Sequence, residues 1–124
     1  MTRKNGNLIY ATRNALAGIP VLLRENAARR EFLLALFAAA CFIHAPNAWS
    51  VAFLVLSIIL LAVEALNTAI EAICDHITME RHPDIKAIKD VAAAGVFLMV
   101  TLTAGAGIAF VAHYFGLIAA PVMG

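Results

Sequence analysis

Residues 51–63, VAFLVLSIILLAV, carry no charge, and the thirteen that follow, EALNTAIEAICDH (64–76), introduce Glu64, Asn67, Glu71 and Asp75 without a helix breaker between. These four positions step by three, four and four, so at about 100° per residue they share one helical face. A polar stripe entering a run built for hydrocarbon needs a physical reason. Carboxylates in a membrane helix cost several kcal/mol, roughly, and therefore face a protein interior or a polar cavity, where they usually carry function. Asn67 and Thr68 also suit hydrogen bonding across a helix interface, and Asp75 with His76 suits headgroup water.

The composition agrees with a lipid environment. Hydrophobic residues make up 63 % of the 124 positions and charged ones 14 %, against about 45–50 % and 25 % in soluble domains. A chain this short has too little interior to hide so much apolar surface from water. A formal charge of +1, with no basic stripe interleaved by aromatics, argues against nucleic acid as a partner. Cys41 and Cys74 lack metal-ligand or redox spacing and read as buried free thiols. MTRKNGNLIYATRN (1–14) has basic residues but no apolar core behind them, so no signal peptide is expected.

Two further apolar stretches flank the first: FLLALFAAACFI (32–43) and VAAAGVFLMVTLTAGAGIAFVA (91–112). The latter is long enough to cross a ~30 Å core at 1.5 Å per residue. The first spans if its helix takes in Arg29-Arg30-Glu31, and the second if it runs on through Asp75. Pro46 disfavours helix at Ala45, so HAPN (44–47) marks a tight turn. The Gly105-Ala-Gly107 pair suits close helix packing. LIYATRNALAGIPVLLRENAARRE (8–31) is too polar to span and reads as an amphipathic helix on the membrane surface, with a bend or break expected at Gly18 and Pro20. The expected architecture is an all-α membrane protein forming one domain over residues 1–124. Its parts are a surface helix over about 8–28, spans over about 29–45, 48–75 and 89–115, and a cytoplasmic loop at 76–88.

Charge placement sets the expected orientation. Arg3, Lys4, Arg13, Arg24, Arg29 and Arg30 precede the first span, and Arg81, Lys86 and Lys89 lie between the apolar parts of the second and third. The positive-inside rule then puts the N-terminus and the 76–88 loop in the cytoplasm, and the HAPN turn and C-terminus outside. Trp49 and Tyr114 fall at the outer ends of their helices. Every acid in the chain joins the bases on the cytoplasmic side. Such an oxygen-rich set suits Mg²⁺, which takes one or two carboxylates together with substrate phosphate. Phosphoryl transfer to a lipid hydroxyl fits a carboxylate at bilayer depth with a metal–phosphate site one or two turns shallower. No GxxxxGK[ST] is present, so any ATP site here is not a P-loop.

Glu64-Ala-Leu-Asn67-Thr-Ala-Ile-Glu71-Ala-Ile-Cys-Asp75, followed by Ala87-Ile-Lys89-Asp90-Val-Ala-Ala-Ala-Gly95-Val, resembles the signature of prokaryotic diacylglycerol kinase, a small membrane kinase unrelated to soluble kinases. The likeness extends over most of residues 10–116. It implies a homotrimer in a bacterial inner membrane with active sites shared between subunits, using ATP and Mg²⁺ to convert diacylglycerol to phosphatidate. It further implies Glu64 as the base that takes the hydroxyl proton. Glu71 and Glu25 are implied as metal carboxylates of the ATP site, Lys89 and Asp90 as nucleotide contacts, and Glu80, Arg81 and His82 as holding the adenosine part. Asn67 would orient the base or the lipid, with Arg29, Glu31 and Ala93 also at the lipid. Asn14 stands where the family has an aromatic nucleotide contact, and Arg13 or Arg3 would serve as the basic one. The stretch between Gly18 and Glu25 is one residue shorter than the family pattern, leaving Asn26 as an alternative to Glu25, and Pro20 departs from it too. Undecaprenol kinase, on the same fold, is the alternative substrate reading. A proton-coupled transporter using Glu64 as carrier is the alternative of another class.

Overall fold

The computed structural model describes residues 7–119; Arg3, Lys4 and the last five residues, which enter the charge pattern and the expected termini, lie outside them. Four helices follow in order: α1 (Leu8–Leu22), α2 (Asn26–His44), α3 (Ala48–Ile77) and α4 (Pro83–Tyr114), with no strand among the described residues. Asn7 starts α1, its Oδ1 accepting from the backbone N–H of Ile9 at 2.8 Å. The expected break at Gly18 and Pro20 is not there: α1 runs through both. Pro20 falls in the last turn, where its missing N–H costs only the bond to the Leu16 carbonyl. The chain leaves helical geometry at Leu23–Glu25 instead. Arg29 holds that elbow, donating from Nη1 to the carbonyls of Leu23 at 3.0 Å and Arg24 at 3.1 Å, which the end of α1 leaves unpaired.

The HAPN turn forms as expected. Asn47 caps α3 with a reciprocal pair: its side chain accepts from Ser50 N, and Ser50 Oγ accepts from Asn47 N. The next connection is shorter than expected. His82 Nδ1 accepts from Asp84 N at 3.1 Å, Pro83 occupies the first helical position, and residues 83–88 form the start of α4 rather than loop. Hydropathy hid this start, because the first turns of α4 are charged. At 30 and 32 residues, α3 and α4 are about 45 and 48 Å long, so their charged ends project beyond a ~30 Å hydrocarbon core. Both are long and apolar enough to cross a membrane. The third expected span, α2, has 19 residues with three charges near its start and falls short of that standard.

Helix α3 is the hub. Its buried residues Ser50, Phe53, Ser57, Leu60, Glu64, Asn67 and Cys74 follow the three–four spacing of a coiled-coil seam. Helix α2 packs on it through Ala28 and Ala38, whose small side chains admit close approach, and α4 through Thr103, Ala106 and Phe110. Thr103 Oγ1 donates to the Leu56 carbonyl at 3.3 Å across the α3–α4 contact. The Phe53 ring meets Phe37 edge-on at 6.2 Å and lies over Gly107, where an added Cβ would stand 3.0 Å from it. Of the expected buried thiols, Cys74 is buried and Cys41 half-buried; both are free. At one end of the bundle His44 Nε2 meets Tyr114 Oη at 3.1 Å, and Trp49 Nε1 donates to the Ala119 carbonyl. Replacing Gly107 with Val forces the Phe53 ring aside, and we expect about 1–3 kcal/mol of destabilisation, read as a lowered midpoint of thermal unfolding in detergent micelles.

Candidate functional site

The seam of α3 changes character halfway along. Ser50 to Leu60 pack among apolar groups; one turn on, Glu64 is 5 % exposed and Asn67 8 %. Glu71, a further turn along, reaches the surface, and its Oε1 accepts from Asn67 Nδ2 at 3.2 Å. The start of α2 lies against this stretch. Glu64 interacts electrostatically with Glu71 on its own helix and with Glu25, Glu31 and Arg30 around the first turns of α2. Glu25 is the N-cap residue of α2, yet its carboxylate makes no capping bond and stays free. Two acceptors in this group are buried with no hydrogen-bond partner, Glu31 Oε2 and Asn67 Oδ1. Buried polar atoms are rarely left so in a finished site, because the lost hydration goes uncompensated. Their arrangement calls for donors from outside the chain.

Because α2 and α4 both pack on α3 but share no extended contact with each other, a groove of about 880 Å³ opens between them. Leu34 and Phe37 of α2, Phe53 and Leu60 of α3, and residues of α4 line it, with Arg30 and Glu31 at its polar end. Along α4 the lining runs from Val100 to Ala112, about 18 Å. The groove is thus shaped for an apolar chain whose polar head rests beside Glu31.

A second cavity, about 700 Å³, lies where α3 ends and α4 begins. Glu80, Arg81, His82, Lys89 and Asp90, nominated separately from the sequence, all line it, with Asp75 and Lys86. Lys89 Nζ donates to Asp75 Oδ1 at 2.6 Å and Lys86 Nζ to Asp90 Oδ2 at 2.6 Å. His82 accepts at Nδ1, so its neutral ring carries the proton on Nε2, free to donate. Along α3, Glu64 and Asp75 are eleven residues or about 16 Å apart; Glu71 lies between.

Seven nominated residues line neither cavity: Glu25, Glu64, Asn67 and Glu71, which belong to the polar stretch of α3 and the start of α2, and Asn14, Arg29 and Ala93. Asn14 is exposed on α1, which has no buried residue and shares no extended packing with the other helices. Arg29 is occupied with the α1–α2 elbow, its guanidinium also reaching Asn26 Oδ1. Ala93 is exposed on α4 and lines neither cavity. In exchange, the structure adds Arg30 to the groove and Lys86 to the charged cavity. Both were readable: Arg30, Leu34 and Phe37 recur at helical spacing, and Lys86 stands four residues before Asp90. No group of three His, Cys, Asp or Glu side chains close enough to hold a metal alone occurs among the described residues. A hard cation seated here would draw one or two carboxylates from the protein and the rest of its oxygens from a ligand.

Residues 13–111 match the family described as prokaryotic diacylglycerol kinase. A diacylglycerol kinase of Pseudomonas aeruginosa is 33 % identical over 98 residues, covering 77 % of this chain and 80 % of that protein.

The Lys89–Asp75 pair has side chains 37 % and 49 % exposed, so water and salt screen it. We expect Asp75→Asn to change stability by less than about 1 kcal/mol, with a thermal midpoint in detergent close to the wild type's; a large loss would mark the pair as a structural brace.

Proposed function

The chain belongs to the prokaryotic diacylglycerol kinase family, and on that premise we propose that it transfers the γ-phosphoryl group of ATP to the primary hydroxyl of diacylglycerol at the cytoplasmic face of a bacterial inner membrane. The observation that carries this reading is the buried, unpartnered Glu31 acceptor at the polar end of an apolar groove, in electrostatic contact with the buried Glu64 carboxylate. A lipid bearing a hydroxyl supplies the missing donor while its tail fills the groove.

Glu64 is the general base in this reading. Its carboxylate takes the hydroxyl proton as the lipid oxygen attacks the γ-phosphorus; the bond from that phosphorus to the β–γ bridging oxygen breaks, and phosphatidate and ADP result. Burial excludes water, so the proton acceptor meets the lipid alcohol rather than solvent. Asn67, bonded to Glu71 through its amide nitrogen and with its carbonyl oxygen unpartnered, orients the base or the head group. Glu31 offers a second acceptor there. Glu25 and Glu71 are the residues that would hold Mg²⁺, and the repulsion that each exerts on Glu64 suits such an ion. When bound, it neutralises phosphate charge, the main requirement of phosphoryl transfer. Lys89, Arg81 and Lys86 complement the phosphates at the second cavity, and Glu80, His82 and Asp90 offer acceptors and a donor for the nucleoside.

The two cavities lie apart along one chain, about 16 Å from Glu64 to Asp75. We therefore take the working unit to be a homotrimer, in which the nucleotide cavity of one subunit completes the lipid site of a neighbour. The large apolar residues exposed on α2–α4, Leu33, Leu36, Val55, Phe97 and Ile108 among them, suit contact with lipid and with such neighbours.

The test is ATP consumption by the purified protein in mixed micelles with Mg²⁺ and dioleoylglycerol or undecaprenol. We expect phosphatidate formation with a preference for the diacylglycerol; preference for undecaprenol would keep the mechanism and change the substrate. ATP left unconsumed with both lipids would favour a proton-carrying role for Glu64. Glu64→Gln should lower kcat by roughly 10²–10⁴-fold without altering oligomer size on gel filtration. Glu71→Gln should instead raise the KM for Mg·ATP.

A further inference from the structure

Arg30 differs from the other bases of α2 and of the start of α4. Arg29, its neighbour, has its guanidinium committed to the carbonyls of the α1–α2 elbow, and Lys86 and Lys89 are paired with carboxylates. Among the described residues the Arg30 guanidinium makes no hydrogen bond and no ion pair, yet it lines the apolar groove at its polar end. It interacts electrostatically with both Glu31 and Glu64. A guanidinium carries five N–H donors and no acceptor. Beside it stand acceptors that want donors, the orphaned Glu31 Oε2 foremost. The polar end of the groove therefore asks its occupant for both kinds of group: an O–H for the carboxylates and an oxygen acceptor for Arg30.

A diacylglycerol offers both within one head group, a free hydroxyl and, on the adjacent carbon, an ester whose carbonyl accepts hydrogen bonds. A polyprenol offers the hydroxyl alone. Resting on the lipid-kinase reading above, we infer that Arg30 is a specificity-determining residue that receives an ester carbonyl of a glycerolipid while the neighbouring hydroxyl meets Glu64. Two other roles compete. A phosphate clamp for ATP, or an electrostatic influence on Glu64, would act on every lipid alike, because neither involves the ester. The apolar company of Arg30 in the groove, Leu34 and Phe37, points to the lipid and away from the nucleotide.

The ester is tested by removing its carbonyl and nothing else. The rates of phosphorylation of 1,2-dioleoyl-sn-glycerol and of its 1,2-di-O-oleyl ether analogue are compared in mixed micelles for the wild type, Arg30→Gln and Arg30→Lys. Gel filtration checks that each variant assembles as the wild type does. We expect the wild type to favour the ester about tenfold in kcat/KM, the scale of one charge-assisted hydrogen bond. Arg30→Gln brings that ratio close to one, mainly by raising the KM for the ester. Arg30→Lys keeps part of the preference, since an ammonium donates without the guanidinium's fork. An ester preference that survives Arg30→Gln, or equal losses with both lipids, overturns the inference and leaves the kinase reading standing. A wild type that phosphorylates neither glycerolipid removes both.

Discussion

Everything in this fold turns on the requirement that α3, passing through a solvent that accepts no hydrogen bonds, turn its polar side chains inward. Hydrocarbon leaves a carboxylate or amide no partner, so Glu64 and Asn67 face α2 and the bundle interior. The same seam buries Ser50, Ser57 and Thr103, whose hydroxyls bond to backbone carbonyls and so satisfy themselves locally. Glu64, by contrast, has only other charges for company. One seam thus changes character along its length: Ser50 to Leu60 are packing, and Glu64 and Asn67 add buried polar groups to it.

The packing that makes α3 a hub also makes the groove. Because α2 and α4 each pack on α3 and meet each other only locally, as at His44 and Tyr114, a groove stays open between them. Small residues set how close the walls stand: Ala38 and Ala106 bring the flanking helices in, and Gly107 makes room for the Phe53 ring. The groove ends where α2 begins, and there the charged start of that helix delivers Arg30 and Glu31 beside Glu64. Further toward the C-terminal end of α3, helix length does the positioning. Thirty residues exceed the hydrocarbon core, so Asp75 emerges to pair with Lys89 and the short 78–82 connection gathers the remaining charged side chains around one cavity.

Several features were legible before any coordinate was known, for reasons that are local. The polar stripe 64–75 reads from helical periodicity, the 44–47 turn from Pro46 and Asn47, and the segregation of bases from simple counting. The features that were misread share a cause too. The surface helix was expected to yield at Gly18 and Pro20 because both are poor helix formers, but near a helix end a proline costs one bond only, and the break belongs to Leu23–Glu25. The start of α4 reads as loop by hydropathy, which reports the solvent of a segment and not its backbone. Its first turns are helical and charged, as a Pro at the first position with Asp beside it allows. Asn14, Arg29 and Ala93 are expected at the site by resemblance, and within the single chain they line neither cavity.

The sequence by itself determined the class of molecule and the chemistry available to it: long apolar helices, carboxylates stacked on one helical face after an apolar run, and bases confined to two stretches of the chain. These follow from composition and period, which are properties of consecutive residues. The tertiary structure alone decided which arginine reaches the groove, which carboxylate takes each lysine, and which acceptors remain without partners. Those outcomes depend on how helices distant in sequence are rotated against one another, and a rotation of one residue, 100°, exchanges Arg29 for Arg30.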